Sequence, residues 1–557
     1  MTSERRRLMR KLTVLLAAAM CLPLAACSDK ASSPHTYAAP AVRTADGSEY
    51  TLPVSRLYEV SYDDIGAANI EAVCKAAGVE STPENADSIC FGENVFGVGL
   101  ASVAYFGKYA SSLSDAEWQK MAEIAASPEN YVPALTGGSV PDVSPQAQYT
   151  SRIPDNAYFD AMVEQIVTDI AEQQGCGRGR AFELLYSEGV TVETPFSPYM
   201  QEAVDKVYTD PRSFSDELNV YPQSACAVTN MGGDVIALAA GNRGNSAYNR
   251  AYRTLHRIGS SIKPLSVYAP ALADRRISFS SIVHDEPIMN ANTPNSWPRN
   301  YNLIYDGDIT VTYALRQSKN TVPVRLASEL GGENCLAFMR EKLGFTTLTD
   351  RDADISSISL GYLERGVSMT ELAAAYSVFG RGGMYSAPRL YTRVTDKGGN
   401  VLAERESSEI QALSSEDAWI MNRLLYYNIC KDDGIAQAAR LSDGSEVIGK
   451  TGTVDNDYGS DTDRLFVGLT PEYCAAVWIG YDDEKSVIDR TEYKLPASVW
   501  RSIMELADRH ETAFVPDGNV IAADYCTESG GLAGEHCPKS ETGYYREGEI
   551  PEKCPIH

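Results

Sequence analysis

Two stretches far apart in the chain constrain its fold most: "SACAVTNMGGDVIALAAG" (224–241) and "RLFVGLTPEYCAAVWIGYDD" (464–483). Each is a pair of short apolar runs around a turn, Met231-Gly232-Gly233-Asp234 in one and Thr470-Pro471-Glu472 in the other, and reads as two strands. Between them the apolar spacing changes to three and four, as in "MTELAAAYSVFGRGG" (369–383), which reads as helix. Strands at both ends of a segment with helices between them predict an α+β domain whose antiparallel sheet is closed by the two ends of that segment. Ahead of it, "DAEWQKMAEIAASPENY" and "NAYFDAMVEQIVTDIAEQQG", the second ending at Gly175, predict a small, mainly helical lobe.

With 557 residues and 44% hydrophobic content the chain has room for more than one packed domain. A formal charge of -26 argues against a nucleic-acid partner, because phosphate binding needs a concentrated positive field. The first residues carry Arg5, Arg6, Arg7, Arg10 and Lys11, then an apolar run from Leu12 to Leu24, which is the pattern of an export signal. The ending Leu24-Ala25-Ala26-Cys27 resembles a bacterial lipobox, with Cys27 as the lipidated residue. The expected division is a lipoprotein signal peptide at 1–26, a flexible polar tether at 27–50 and the helical lobe at 51–200. The main α+β domain follows at 201–510, and a turn-rich, cysteine-containing tail at 511–557. In that tail Cys526, Cys537 and Cys554, the last followed at three residues by His557, offer zinc donors, but the spacings lack the paired C-x2-C of common zinc knuckles, so disulfides or free thiols are expected ahead of a metal and no metal site is assigned.

The chemistry starts at "NRAYRTLHRIGSSIKP". Ser260 and Lys263 are three apart, so a helix beginning here places them on one face, and a serine in its first turn feels the positive end of the helix dipole. Ser261 does not share that face. A serine hydroxyl needs a base, and a lysine serves only when its amine is neutral, which takes burial or a neighbouring cation. Two further motifs follow in order: "SKN" at Ser318, Lys319 and Asn320, and "GKTGT" at Gly449 to Thr453. S-x-x-K, S-x-N and K-T-G together are the ordered set of penicillin-recognising serine enzymes. Lys450 is expected to supply positive potential near Lys263, Ser318 to relay a proton to the leaving amine, and Asn320 to orient substrate amides. Gly452 is expected to let a substrate backbone lie against the strand, Thr451 and Thr453 to hold a terminal carboxylate, and the N–H groups of Ser260 and Thr453 to form an oxyanion hole. No cofactor is expected.

Those blocks, with "SWPRNYNLIYDGDITVTYALRQSKNTVPV" and "GVSMTELAAAYSVFGRGGMYSAPRL", resemble the transpeptidase domain of class A penicillin-binding proteins over roughly residues 200 to 510. The resemblance implies the penicillin-binding/serine β-lactamase-like fold and a D,D-transpeptidase acting on stem peptides ending in D-Ala-D-Ala. It also implies an acyl-enzyme on Ser260, open to β-lactams. It implies an extracytoplasmic protein, held at the membrane here by a lipid on Cys27, and cell-wall synthesis proteins as partners. Residues 90–133, with Tyr105-Phe106-Gly107-Lys108, resemble the later part of the glycosyltransferase domain that precedes the transpeptidase in that family. The E-D-x-x-F-x-x-H-x-G segment with its catalytic glutamate and the S-T-I-x-Q-Q segment do not appear. His35 is the only histidine before His256, and Glu93 lacks the setting. The lobe is therefore expected to be a truncated remnant without polymerase activity. Rival readings are a β-lactamase, whose E-x-x-L-N segment is missing between Asn320 and Lys450, a D,D-carboxypeptidase, and a non-catalytic penicillin-binding sensor or scaffold.

Overall fold

The computed structural model describes residues 40–52, 67–79, 81, 86, 89, 91, 97–106, 113–127, 157–176, 181, 184–210, 213, 222–241, 249–288, 297–456, 459–482, 486–488, 495–516 and 518–557. The signal and lipobox, Cys27 included, lie outside the described residues, as do His35, Glu93, Gly107 and Lys108.

The polar composition of residues 27–50 predicts only a tether, and for 41–50 that reading is corrected. There β1 (Ala41–Thr44) pairs antiparallel with β2 (Glu49–Thr51) and, on its other side, parallel with a strand near residue 191. The partner supplies what local composition lacks, a ladder and a buried place for Val42. Among the described residues the helices α1 (Ala67–Ala77), α2 (Val98–Phe106) and α3 (Asp115–Ala126) follow. They enclose a small core of their own that includes Ile70, Val73, Trp118, Met121 and Ile124. α3 opens with a capping box, Ser114 accepting from the Glu117 N–H while the Glu117 carboxylate accepts from the Ser114 N–H. α4 (Ala157–Gln173) and β3 (Thr191–Thr194) pack instead into the main core, where the Tyr158 hydroxyl lies 2.6 Å from the Leu390 carbonyl.

α5 (Pro198–Thr209) leads to the expected hairpin, β4 (Gln223–Asn230) and β5 (Val235–Ala239). A helical run from 259 to 273 comes next: a 3-10 turn at Gly259–Ile262, a π turn at Pro264–Tyr268, and α6 (Ala269–Ala273). The hairpin β6 (Ile282–Asp285) and β7 (Gly307–Thr310) feeds α7 (Val311–Arg316), which Thr310 caps. After α8 (Thr321–Leu330) and α9 (Ile355–Leu360), α10 (Met369–Ser377) forms where the spacing of "MTELAAAY" predicts it. Short strands β8 (Met384–Ser386), β9 (Arg393–Thr395), β10 (Val401–Glu404) and β11 (Glu409–Gln411) precede α11 (Ser415–Cys430). Then come β12 (Ile448–Asp455), β13 (Asp461–Leu469), β14 (Tyr473–Gly480) and α12 (Leu495–Leu506), and last the hairpin β15 (Val520–Cys526) and β16 (Ser540–Arg546).

The main sheet runs β12-β13-β14-β4-β5, all antiparallel, so the two strand pairs picked out in the sequence meet as β14 against β4. Period-two alternation divides its residues cleanly between two faces. Ala225, Ala227, Ala476 and Trp478 face the core shared with α10 and the 259–273 run, while Cys226, Val228, Val477 and Ile479 face α5 and α12. Both faces are covered, which is why β4 and β14 read as near-continuous apolar runs. A second sheet, β10-β9-β3-β1-β2, is not hydrogen-bonded to it but shares its core. Residues 518–557 are folded: the β15–β16 hairpin lies on α11, and Tyr427, Tyr525, Tyr544 and Tyr545 set their rings edge-on around Phe279. Among the described residues no helix is long and apolar enough to cross a membrane.

Candidate active site

Ser260 sits half-buried on the 3-10 turn, which rests on the edge strand β12. The contact is close enough to dictate glycines. Gly259 has φ +50°, and a Cβ there would stand 2.1 Å from the Thr453 carbonyl oxygen. At Gly452 a Cβ would stand 2.4 Å from the Ile258 carbonyl oxygen and 3.1 Å from Ser261 Oγ. The room beside Gly452 is therefore taken by the turn that carries the serines, a different use from the substrate clearance expected of it. Ser261 is fully buried and its hydroxyl donates to the Ile258 carbonyl at 2.6 Å, so the twin serines differ sharply in access. Among the described residues Ser260 Oγ makes no hydrogen bond, and the shared face predicted by helical spacing does not bring it into a bond with Lys263.

Lys263 is fully buried and points at the S-x-N loop instead. Its Nζ donates to Asn320 Oδ1 at 2.6 Å and to the carbonyls of Ser318 and Lys319 at 2.9 and 3.0 Å, with Ser318 Oγ at 3.4 Å. Lys450, also fully buried, comes up from β12 and donates to Ser318 Oγ at 2.8 Å and to the Thr451 carbonyl at 3.1 Å. The Ser318 hydroxyl thus stands between two lysines from different elements. Burial pushes the Lys263 ammonium well below the ordinary lysine range, and the charge of Lys450 pushes the same way. Burial alone brings Lys450 down to about 7. An ammonium has three donors, a neutral amine two donors and a lone pair. On losing a proton Lys263 can keep two of its present bonds and offer the lone pair to a neighbouring hydroxyl.

Ser318 ends α7 in a Schellman turn, with its N–H on the Leu315 carbonyl and the Lys319 N–H on the Ala314 carbonyl. The position calls for left-handed backbone, and Ser318 adopts φ +53° where glycine is usual. Asn320 receives Lys263 on Oδ1 and donates from Nδ2 to the Arg299 carbonyl at 2.7 Å, which leaves one N–H and one lone pair of its amide for another group. Thr451 and Thr453 are half-buried on β12, whose far edge pairs with no other strand among the described residues. Four of the expected site residues, Lys263, Ser318, Asn320 and Lys450, are therefore linked by hydrogen bonds, and Gly452 and Thr453 lie against the turn that carries Ser260.

Sequence reasoning passed over the residue between Ser318 and Asn320. Lys319 is buried, with Asp285 at 2.9 Å, Asp306 at 2.5 Å and the Ile304 carbonyl at 3.1 Å. Burial works to raise the Asp285 carboxyl, but hydrogen bonds from Thr321, Asn300, the Asp306 N–H and Lys319 hold it below its usual value. Asn300 in turn accepts from the Asn320 N–H at 2.8 Å. The only local signal for this network was the family-like block around "SWPRNYNLIYDGD", which gives no pairing.

A half-buried serine on a helical turn against an edge strand, with two buried lysines meeting at a serine–asparagine loop, sits on the penicillin-binding transpeptidase fold. Residues 223–505, slightly more than half of the chain, match the family model described as penicillin binding protein transpeptidase domain, and the chain belongs to that family. Penicillin-binding protein 1A of Clostridium botulinum is 30% identical over 474 residues, which cover 75% of this chain and 56% of that protein. The chain thus spans a little over half the length of the curated relatives it matches. Among solved structures, penicillin-binding protein 1A from Haemophilus influenzae has the same fold, with a TM-score of 0.60 at 19% identity, covering 94% of this chain and 100% of that one. PonA1 from Mycobacterium tuberculosis in complex with penicillin V aligns with a TM-score of 0.54 at 21% identity, over 68% of this chain and 99% of that one.

Proposed function

We propose that the protein is a serine D,D-transpeptidase of the bacterial cell envelope, acting on peptidoglycan stem peptides that end in D-Ala-D-Ala. The observation that carries this reading is the meeting of Lys263, Ser318, Asn320 and Lys450 on the elements next to the half-buried Ser260, with burial pushing Lys263 well below the ordinary lysine range and Lys450 down to about 7. Ser260 Oγ attacks the carbonyl of the penultimate D-Ala while its proton passes to the Lys263 amine. The N–H groups of Ser260 and Thr453, whose backbones are brought together at Gly259, hold the developing oxyanion. The C–N bond breaks as Ser318, bonded to Lys450 and near Lys263, delivers a proton to the departing D-Ala amine. An amine of a neighbouring stem then takes the acyl group and Ser260 recovers its proton. Thr451, Thr453 and Lys450 bind the terminal carboxylate, and the free half of the Asn320 amide meets the peptide. A β-lactam acylates the same serine.

In this reading Cys27 carries a lipid that holds the chain on the outer side of the cytoplasmic membrane, and the lobe before residue 200 makes no glycan. The test is to incubate the protein with a fluorescent penicillin and with a stem-peptide donor and amine acceptor, beside Ser260→Ala. Stable labelling and amide product, both lost in Ser260→Ala, are expected; labelling that survives the substitution refutes Ser260 as the nucleophile. Release of D-Ala without amide product identifies a carboxypeptidase, rapid release of the label a β-lactamase, and labelling with neither product a binding protein.

A further inference from the structure

The C-terminal hairpin gathers a second set of chemical groups, far from Ser260 in role. Ligand atoms of Cys526, Cys537, Cys554 and His557 all lie within 4.8 Å of one another, and the three cysteines are free thiols. They come from three separate places: the end of β15, the loop between β15 and β16, and the last four residues. The sequence spacings lack a C-x2-C pair and put zinc behind disulfides or free thiols; the fold supplies the proximity that the spacings could not give.

We propose that these four residues form a closed, structural Zn²⁺ site. Three sulfurs and one imidazole are a complete tetrahedral donor set for zinc. Zn–S bonds of about 2.3 Å and a Zn–N bond of about 2.0–2.1 Å at the tetrahedral angle put sulfur and nitrogen about 3.6 Å apart. His557 Nδ1 lies 3.6 Å from Cys526 Sγ and 3.4 Å from Cys554 Sγ. The other ring nitrogen, Nε2, is 3.3 Å from a Glu528 carboxylate oxygen, the partner that fixes the orientation of a ligating histidine. Two of the sulfurs already receive hydrogen bonds as thiolate ligands do, Cys537 from the Gly534 N–H at 3.2 Å and Cys554 from the Ser529 hydroxyl at 3.1 Å. A disulfide would use two sulfurs and strand the third beside the imidazole. On binding, three thiol protons leave to solvent as three Zn–S bonds form, and the imidazole stays neutral with Nδ1 as its ligand atom.

Backbone bonds hold the donors in place from both sides: Cys526 N–H to the Gly531 carbonyl, and Cys554 N–H to the Leu532 carbonyl, each at 2.8 Å. The same hairpin braces the candidate active site. Glu541 on β16 pairs with Arg316 at 3.1 Å, and Arg316 is the last residue of α7, two positions before Ser318. Ser280 donates to the Gly530 carbonyl at 2.6 Å and accepts from Tyr545 at 2.8 Å. The metal therefore ties the end of the chain to the helix that presents the S-x-N loop.

The test uses the full chain purified without chelator or added reductant, its metal content measured by elemental mass spectrometry, with Cys554→Ser and His557→Ala beside it. Expected is a zinc-to-protein ratio near one, falling at least several-fold in both variants. Because a variant can fail to fold, the wild-type protein is also stripped and reloaded with Co²⁺, which should give the intense visible bands of tetrahedral thiolate coordination. Absence of those bands together with metal-free wild-type protein overturns the proposal. So does a disulfide joining any two of Cys526, Cys537 and Cys554 in non-reducing peptide mass spectrometry.

Discussion

Ser318 offers a test in which backbone and chemistry pull in opposite directions. Its φ of +53° places a side-chain-bearing residue in the left-handed region at the end of α7. A Cβ costs roughly 1–2 kcal/mol in that conformation, and only glycine escapes the cost. In ordinary backbone the order is the reverse: alanine is more stable than glycine by about 0.4–1 kcal/mol, through the freedom glycine has when unfolded. Ser318→Ala and Ser318→Gly both remove the hydroxyl that Lys450 and Lys263 share, so the loss of those bonds cancels between them. The difference isolates the backbone, and Ser318→Gly should be the more stable of the two by roughly 1 kcal/mol. Urea unfolding of the pair measures that difference, and penicillin acylation rates measure the chemistry. Both variants should acylate at least 100-fold more slowly than the parent, the scale of loss for a proton-transfer group. An alanine variant as stable as the glycine variant would refute the strain, and acylation at the parental rate in either would refute the relay.

Two further outcomes bear on the lysines. Lys319→Met leaves the buried Asp285 and its neighbour Asp306 without their cation; removing one partner of a buried pair costs about 3–5 kcal/mol, and the remaining Thr321 and Asn300 bonds favour the lower end. Thermal unfolding should fall by several degrees and recover in part when Asp285→Asn is added, whereas no recovery would mean that charge is not the cause. Lys450→Met removes the cation whose charge helps lower Lys263, so Lys263 holds its proton to higher pH. The ascending limb of acylation rate against pH should therefore move to higher pH, and an unmoved limb would show that burial alone sets the Lys263 amine.

The parts of the fold that were legible in the sequence are those whose partners lie close by. β4 and β5, and β13 and β14, announce themselves because turn residues stand between two apolar runs, and α3 and α10 because their caps and spacing agree. Spacing alone singles out Ser260 over Ser261, and the structure adds a difference that spacing does not give: Ser261 is fully buried and bonded to the Ile258 carbonyl, whereas Ser260 is half-buried. What stayed hidden depends on distant partners. β1 reads as tether until β3 is beside it, Lys319 reads as a spacer until Asp285 and Asp306 close on it, and Cys526, Cys537, Cys554 and His557 read as scattered until the last residues fold back on the hairpin.

The parallel pairing of β1 with β3 has a consequence for how such a chain changes length over time. Thr51 of β2 lies across from Ala41, and Ala41 across from Thr191, so the chain leaves this sheet and returns to it within two strand spacings, about 10 Å. The chain between 52 and 190 leaves and re-enters with its two ends pinned next to each other, and on the way back α4 is tied into the main core. The entropy of closing such an excursion grows only by about 0.6 kcal/mol for each doubling of its length. Material can be gained or lost ahead of α4 while the ends, and the sheet that receives them, stay where they are.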